Sequence, residues 1–107
     1  MNNLTVKELQ QKVDQYINKT KTGYFSELSN LAQLTEEVGE LARIINRLHG
    51  QQKAKHNEDI SQEALADELA DILFVTTCLA NQLNIDLESA IAKNFQKKEL
   101  RDKNRHN

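Results

Sequence analysis

The chain of 107 residues contains no proline and only three glycines. Those two residues are the strongest punctuators of local structure. A chain this poor in both has few places to turn and little reason to leave a helix once it has begun one. Apolar spacing points the same way. Val6, Leu9, Val13 and Ile17 mark one face, and Leu31, Leu34, Val38, Leu41, Ile45 and Leu48 mark a second. Leu65, Leu69, Ile72, Thr76, Leu79 and Leu83 mark a third, and Leu87, Ile91 and Phe95 a fourth. Steps of three and four residues are the helical period, and no alternating strand pattern competes. The expected fold is all-α: a four-helix bundle subunit in a single domain over residues 1–107.

The helix boundaries carry their own chemistry. Thr5 and Glu8 have the spacing of a capping box, in which a hydroxyl and a carboxylate satisfy each other's free backbone N–H groups. Ser26 is placed to cap the second helix, and His49-Gly50 to end it. Residues 51–60 form a polar connection carrying Lys53, Lys55 and His56. Ser61 or Asp59 caps the third helix and Asn84 closes it. Asp86 caps the fourth, with Ile85 placed to staple onto Ala90. The tail is polar and largely basic, and is expected to fray from about residue 101.

Composition excludes several classes. Fourteen Lys and Arg against sixteen Asp and Glu give a net charge of −2, unlike a strongly basic nucleic-acid binder. No apolar run nears the ~18 residues of a membrane span, and no secretory leader opens the chain. The single cysteine, Cys78, has no internal disulfide partner; the expected location is cytoplasmic, with Cys78 a buried structural thiol. Apolar residues make up 38% of the chain, below the roughly 45–50% of ordinary domains. A core completed by homo-oligomerisation follows.

The carboxylates are what reach past fold class. Glu37/Glu40 on the second helix and Glu68/Asp71 on the third are like-charged pairs three residues apart, neighbours on a helix face. If the two helices run antiparallel across their connection, both pairs arrive at nearly the same height. Each acid immediately precedes an apolar seam residue: Val38, Leu41, Leu69 and Ile72. One cleft at the seam's edge would then gather four negative groups, and buried charge must be paired, neutralised or metal-bound. An all-oxygen donor set favours Mg²⁺ or Mn²⁺ over Zn²⁺. The Glu-x-x-His signature of di-iron bundles is absent, since His49, His56 and His106 lie in the connection or the tail. Solvated acidic faces are the plain alternative.

Leu34-Thr35-Glu36-Glu37-Val38-Gly39-Glu40-Leu41-Ala42, followed by Asp67-Glu68-Leu69-Ala70-Asp71-Ile72-Leu73-Phe74, resembles the MazG-like all-α nucleoside triphosphate pyrophosphohydrolases. Their hallmark is Glu-Glu-x-x-Glu, a variable gap, then Glu-x-x-Asp; 27 residues separate Glu40 from Glu68 here. The similarity runs from about Tyr16 to Arg105. It implies that Glu37, Glu40, Glu68 and Asp71 hold Mg²⁺, for which Mn²⁺ substitutes, and that Glu36 orients or deprotonates the attacking water. It implies hydrolysis of a (deoxy)nucleoside triphosphate to monophosphate and pyrophosphate, in a homodimer or homotetramer, as nucleotide-pool house-cleaning. Neither nucleic acid nor membrane is an implied partner.

Substrate contacts are expected from Lys97 and Arg101, with Arg105 behind them on one helical stripe, and less strongly from Lys53 and Lys55. Tyr24 and Phe25 either line a base pocket or wedge the corner between helices one and two. Asn81 lies too far from Asp71 to share an ion; it either contacts substrate from another subunit or supports the helix end, the second being the expected role. The chain is a single module, without the insertions of relatives dedicated to dUTP or dCTP. A phosphoribosyl-ATP pyrophosphohydrolase-like enzyme and a non-catalytic helical module that binds a nucleotide or partner remain alternative readings.

Overall fold

Thr5 opens the first helix as its spacing predicts. Its Oγ1 accepts the Glu8 N–H at 3.0 Å while Glu8 Oε1 accepts the Thr5 N–H at 3.1 Å. Four helices follow: α1 Val6–Asn18, α2 Glu27–His49, α3 Gln62–Gln82 and α4 Leu87–His106. The computed structural model describes residues 3–50 and 60–106; Lys53, Lys55, His56 and Asp59 lie outside them. Ser26, Ser61 and Asp86 cap α2, α3 and α4 through the N–H groups of Ser29, Ala64 and Ser89. Asn84 ends α3 in the left-handed region at φ 56°. There the Ile85 N–H reaches Ala80 O at 2.9 Å and the Asn84 N–H reaches Asn81 O at 3.3 Å, the bond pair of a Schellman stop. Gly50 works differently from the expected glycine stop. Its φ of −99° is not left-handed; a Cβ there would instead lie 2.6 Å from the Asn46 carbonyl oxygen.

α3 is the central helix, packed against α2 on one side and α1 on the other. Asn30 bonds Gln82 at 2.7 Å, while Glu37 meets Glu68 and Asp71. Partner numbers fall on one helix as they rise on the other, so α2 and α3 are antiparallel. The same holds for α1 and α3, through Gln10 with Asn81 and the edge-on pair Tyr16–Phe74, whose rings lie 5.9 Å apart.

The α2–α3 seam differs from expectation. On α2 it is built from Leu34, Leu41 and Leu48 together with Asn30, Glu37 and Ile44. Leu31, Val38 and Ile45 were expected in the seam, but they are 51%, 48% and 43% exposed on the outer side. On α3, Leu65, Ile72 and Leu79 run beside Glu68, Val75 and Gln82, while Leu69 and Leu83 face out. Glu37 therefore keeps a seven-residue register with Asn30 and Ile44, and Glu68 with Val75 and Gln82. Both acids stand in the seam itself, not at its edge.

The subunit buries little. Among the described residues only Val13, Ile44, Val75, Cys78 and Ala80 are buried apolar side chains. The radius of gyration is 17.1 Å, against about 13 Å for a compact chain of this length. α4 packs chiefly on α1. It is held at its first turn, where the Leu87 N–H reaches Gln10 Oε1 at 2.9 Å. It stays helical to His106, through the segment expected to fray, with Phe95 and Leu100 exposed.

Candidate active site

Antiparallel packing at this register puts Glu37 opposite Glu68 and Asp71, and one carboxylate oxygen from each lies within 4.8 Å of the other two. Glu37 Oε1 accepts from Gln33 Nε2 at 2.9 Å, one turn back on α2. Glu37 Oε2 and Glu68 Oε2 are buried and meet no donor. Two carboxylates facing each other are acceptors only, so a shared proton or a cation is needed between them. With no cation between them, the protonated form of Glu68 is favoured. Hydrogen bonding to Glu37, then loss of water, then the charges of Glu37, Asp71 and Glu40 push Glu68 up to about 7. Asp71 is also raised, by loss of water and by the charges of Asp67 and Glu37.

Buried orphan oxygens and an all-carboxylate donor set suit a hard divalent cation. Glu37, Glu68 and Asp71 are the residues able to hold one. Glu40 stands outside this trio, paired with Arg43 at 2.7 Å, yet near enough for its charge to act on Glu68. Glu36 is exposed on α2, outside the trio.

A cavity of about 510 Å³ opens beside the carboxylates, and both Glu37 and Asp71 line it. Ile17, Phe74 and Val75 give it an apolar wall, and Tyr24 and Phe25 close it from the α1–α2 connection. Gly23, at φ 65°, turns the chain so that two aromatics in succession reach this wall. Cys78 is buried against the cavity, its thiol pushed up by burial. Lys97 and Arg101 are exposed on α4 and do not line the cavity within one subunit. Arg101 Nε lies 3.4 Å from Asp102.

Several participants were not singled out in the sequence. Gln33 carried a usable signal, being four residues before Glu37 on one helix face. Asn30 and Gln82 carried another, as polar residues in seven-residue register with the two seam acids. Asp14 and Gln10, which meet Tyr24 and Asn81 across the fold, carried none.

Residues 25–106 match the MazG nucleotide pyrophosphohydrolase domain. The chain belongs to that family. YpjD of Bacillus subtilis strain 168 is 46% identical over 105 residues, covering 98% of this chain and 93% of the relative. A crystal structure of Bacillus subtilis YpjD superposes with a TM-score of 0.78 at 45% identity, covering 91% of this chain and 97% of that one. The Bacillus-conserved MazG protein, a nucleotide pyrophosphohydrolase, gives 0.76 at 44% identity, with 91% and 92% covered. Membership makes the reaction class hydrolysis of nucleotides, and the MazG family is metal-dependent in general. Among the described residues no helix is long and apolar enough to cross a membrane.

Proposed function

We propose that this MazG-family protein hydrolyses (deoxy)nucleoside triphosphates between the α- and β-phosphates, releasing nucleoside monophosphate and pyrophosphate, and so clears unwanted nucleotides from the cytoplasmic pool. The observation that carries this reading is the pair of buried, donorless oxygens on Glu37 and Glu68, beside a nucleotide-sized cavity that Glu37 and Asp71 line. Glu37, Glu68 and Asp71, joined by Glu40 once it leaves Arg43, would hold Mg²⁺, with Mn²⁺ able to replace it. When bound, such a cation neutralises phosphate charge and polarises the bridge that breaks.

The chain's own groups do the rest. The cavity wall receives the nucleoside. Glu36, adjacent to Glu37 and one turn from Glu40, is assigned to orient the attacking water and take its proton. The water oxygen bonds to phosphorus on one side of the α–β bridge, and the bridging oxygen leaves with the other side. Pyrophosphate release should be measured across the common nucleotides, deoxynucleotides and phosphoribosyl-ATP, with and without Mg²⁺. The reading expects Mg²⁺-dependent release from at least one nucleoside triphosphate. Release from phosphoribosyl-ATP alone would move the protein to that activity, and no release from any compound would leave a binding module.

Lys97 and Arg101 fit the phosphates by charge and by geometry, but not within one subunit. Their helix is anchored at its first turn and leaves Ile91, Phe95 and Leu100 exposed. The scant buried core asks for a homodimer or homotetramer, in which α4 of one copy lies along the site of another. Mixing inactive Glu68→Gln subunits with Arg101→Ala subunits should then restore activity that neither has alone. A mixture that stays inactive after subunit exchange would confine each site to one chain.

A further inference from the structure

Tyr24 is held more firmly than a corner residue requires. Its hydroxyl donates to Asp14 Oδ1 at 2.8 Å and accepts from Asn81 Nδ2 at 3.0 Å. Asn81 is itself fixed: its second N–H goes to Gln10 O at 3.0 Å, and its Oδ1 accepts from Gln10 Nε2 at 3.0 Å. Asp14 keeps its other oxygen for Asn18 Nδ2 at 3.2 Å. Next in the chain, Phe25 is tied through its carbonyl oxygen, which accepts from Gln82 Nε2, and Gln82 Oε1 in turn accepts from Asn30 Nδ2. Consecutive amides of α3 thus anchor consecutive aromatics, one by its phenol and the other by its backbone.

On the nucleotide reading above, we propose that Asn81 and Asp14 are positioning residues for the nucleobase: they clamp the Tyr24 phenol so that its ring stands as a fixed wall of the cavity, a surface for the flat face of a heterocyclic base.

The clamp commits the hydroxyl. Its one proton goes to Asp14, and it receives the Asn81 amide, so the part of Tyr24 left for a ligand is the ring. A ring face attracts any base, since every base has a π surface, and contributes little discrimination among them. Fixing the ring before the ligand arrives removes an ordering cost from binding. Burial, followed by the bond to Asp14, pushes the Tyr24 phenol up to about 12, so the group stays a protonated donor through any working pH. The ring lines the same cavity as Glu37 and Asp71, which puts the base wall and the phosphate end in one enclosure.

Calorimetry with two probes, each with Mg²⁺, tests this: a non-hydrolysable α,β-methylene nucleoside triphosphate and inorganic triphosphate. Asn81→Ala and Asp14→Ala should weaken the nucleotide by about fivefold or more, the low end of what losing one stacked base costs, and should change triphosphate affinity little. Asp14→Asn keeps an acceptor for the phenol and should bind the nucleotide as the unaltered protein does. If Asn81→Ala does not fold, the two Asp14 variants carry the test alone. Equal weakening of both probes, or full nucleotide affinity in Asp14→Ala, overturns the proposal. An unaltered protein that cleaves nucleotides while these variants keep their affinity loses only this inference. One that neither binds nor cleaves them loses the nucleotide reading as well.

Discussion

Replacing Glu68 with glutamine is expected to abolish pyrophosphate release and, at the same time, to make the metal-free protein more stable above neutral pH. The two effects have one origin. Glu68 Oε2 and Glu37 Oε2 are both buried in the α2–α3 seam, and neither meets a donor. Glutamine has nearly the shape of glutamate, removes one of two like charges, and offers an N–H to Glu37. A hydrogen bond to a charged group contributes about 1.5 kcal/mol or more, and a change of ~1 kcal/mol moves the melting temperature of a domain this size by ~4 °C. A rise of several degrees at pH 8 is the expected result. The amide is also a poor ligand for a hard cation. Groups that merely support a metal ligand cost ~10–100-fold when lost, so losing the ligand itself should lower kcat/KM by at least ~100-fold. An ordinary structural glutamate would behave otherwise, with activity following stability in the same direction. Melting curves in EDTA beside initial rates in Mg²⁺ decide it; a less stable variant that retains activity would remove Glu68 from the site.

Why the site was legible in outline but displaced in detail follows from the α2 seam. The Leu31-to-Ile45 spacing announces a helix with an apolar face and supports the all-α fold. It does not say which half of a broad face meets α3. Leu34, Leu41 and Leu48 turn inward while Leu31, Val38 and Ile45 turn out, because the chain has more apolar stripe than one neighbour covers. That rotation carries Glu37 into the seam, where its hydrogen bond with Glu68 and its charge raise Glu68. The matching heights of the acidic pairs were readable because antiparallel helices fix height by counting residues. The separation of Glu40 was not, since a pairing with Arg43 on the same helix competes with a contact across helices. The caps were readable because they are local: Thr5, Ser26 and Ser61 each act within three residues. Contacts between residues far apart in sequence, such as Asp14 and Asn81 on the Tyr24 phenol, leave no spacing to read. Asn81 was expected to support a helix end; its amide in fact joins α1, α3 and the aromatic corner.

Metal-free protein should lose stability as pH rises from about 5 to about 8, and a divalent cation should reverse that trend. The folded-state value of Glu68 lies near 7 against an ordinary 4.5. Between those values the folded protein holds a proton that the unfolded chain has released, and stability falls with pH wherever the unfolded state binds fewer protons. The contribution is full below 4.5 and is lost as pH passes through about 7. Asp71, raised as well, acts in the same direction. Glu8 acts in the opposite one, being lowered by its backbone and side-chain bonds with Thr5, but its window lies below 4.5 and leaves this range untouched. A cation must displace the shared proton, since carboxylates bind metal in their ionised form. Binding near pH 6 should therefore release protons, detectable by calorimetry in two buffers of different ionisation enthalpy. At a hundred times its dissociation constant the cation should stabilise the fold by ~2.7 kcal/mol, or about 10 °C for a domain this size. Because Glu68 contributes to both the proton and the ion, Glu68→Gln should reduce the pH slope of the metal-free protein and the proton release together, leaving only the share of Asp71. A slope that the substitution leaves undiminished would place the titrating group elsewhere, and Mn²⁺ that binds the unaltered protein without releasing protons would mean that the two oxygens are not its ligands.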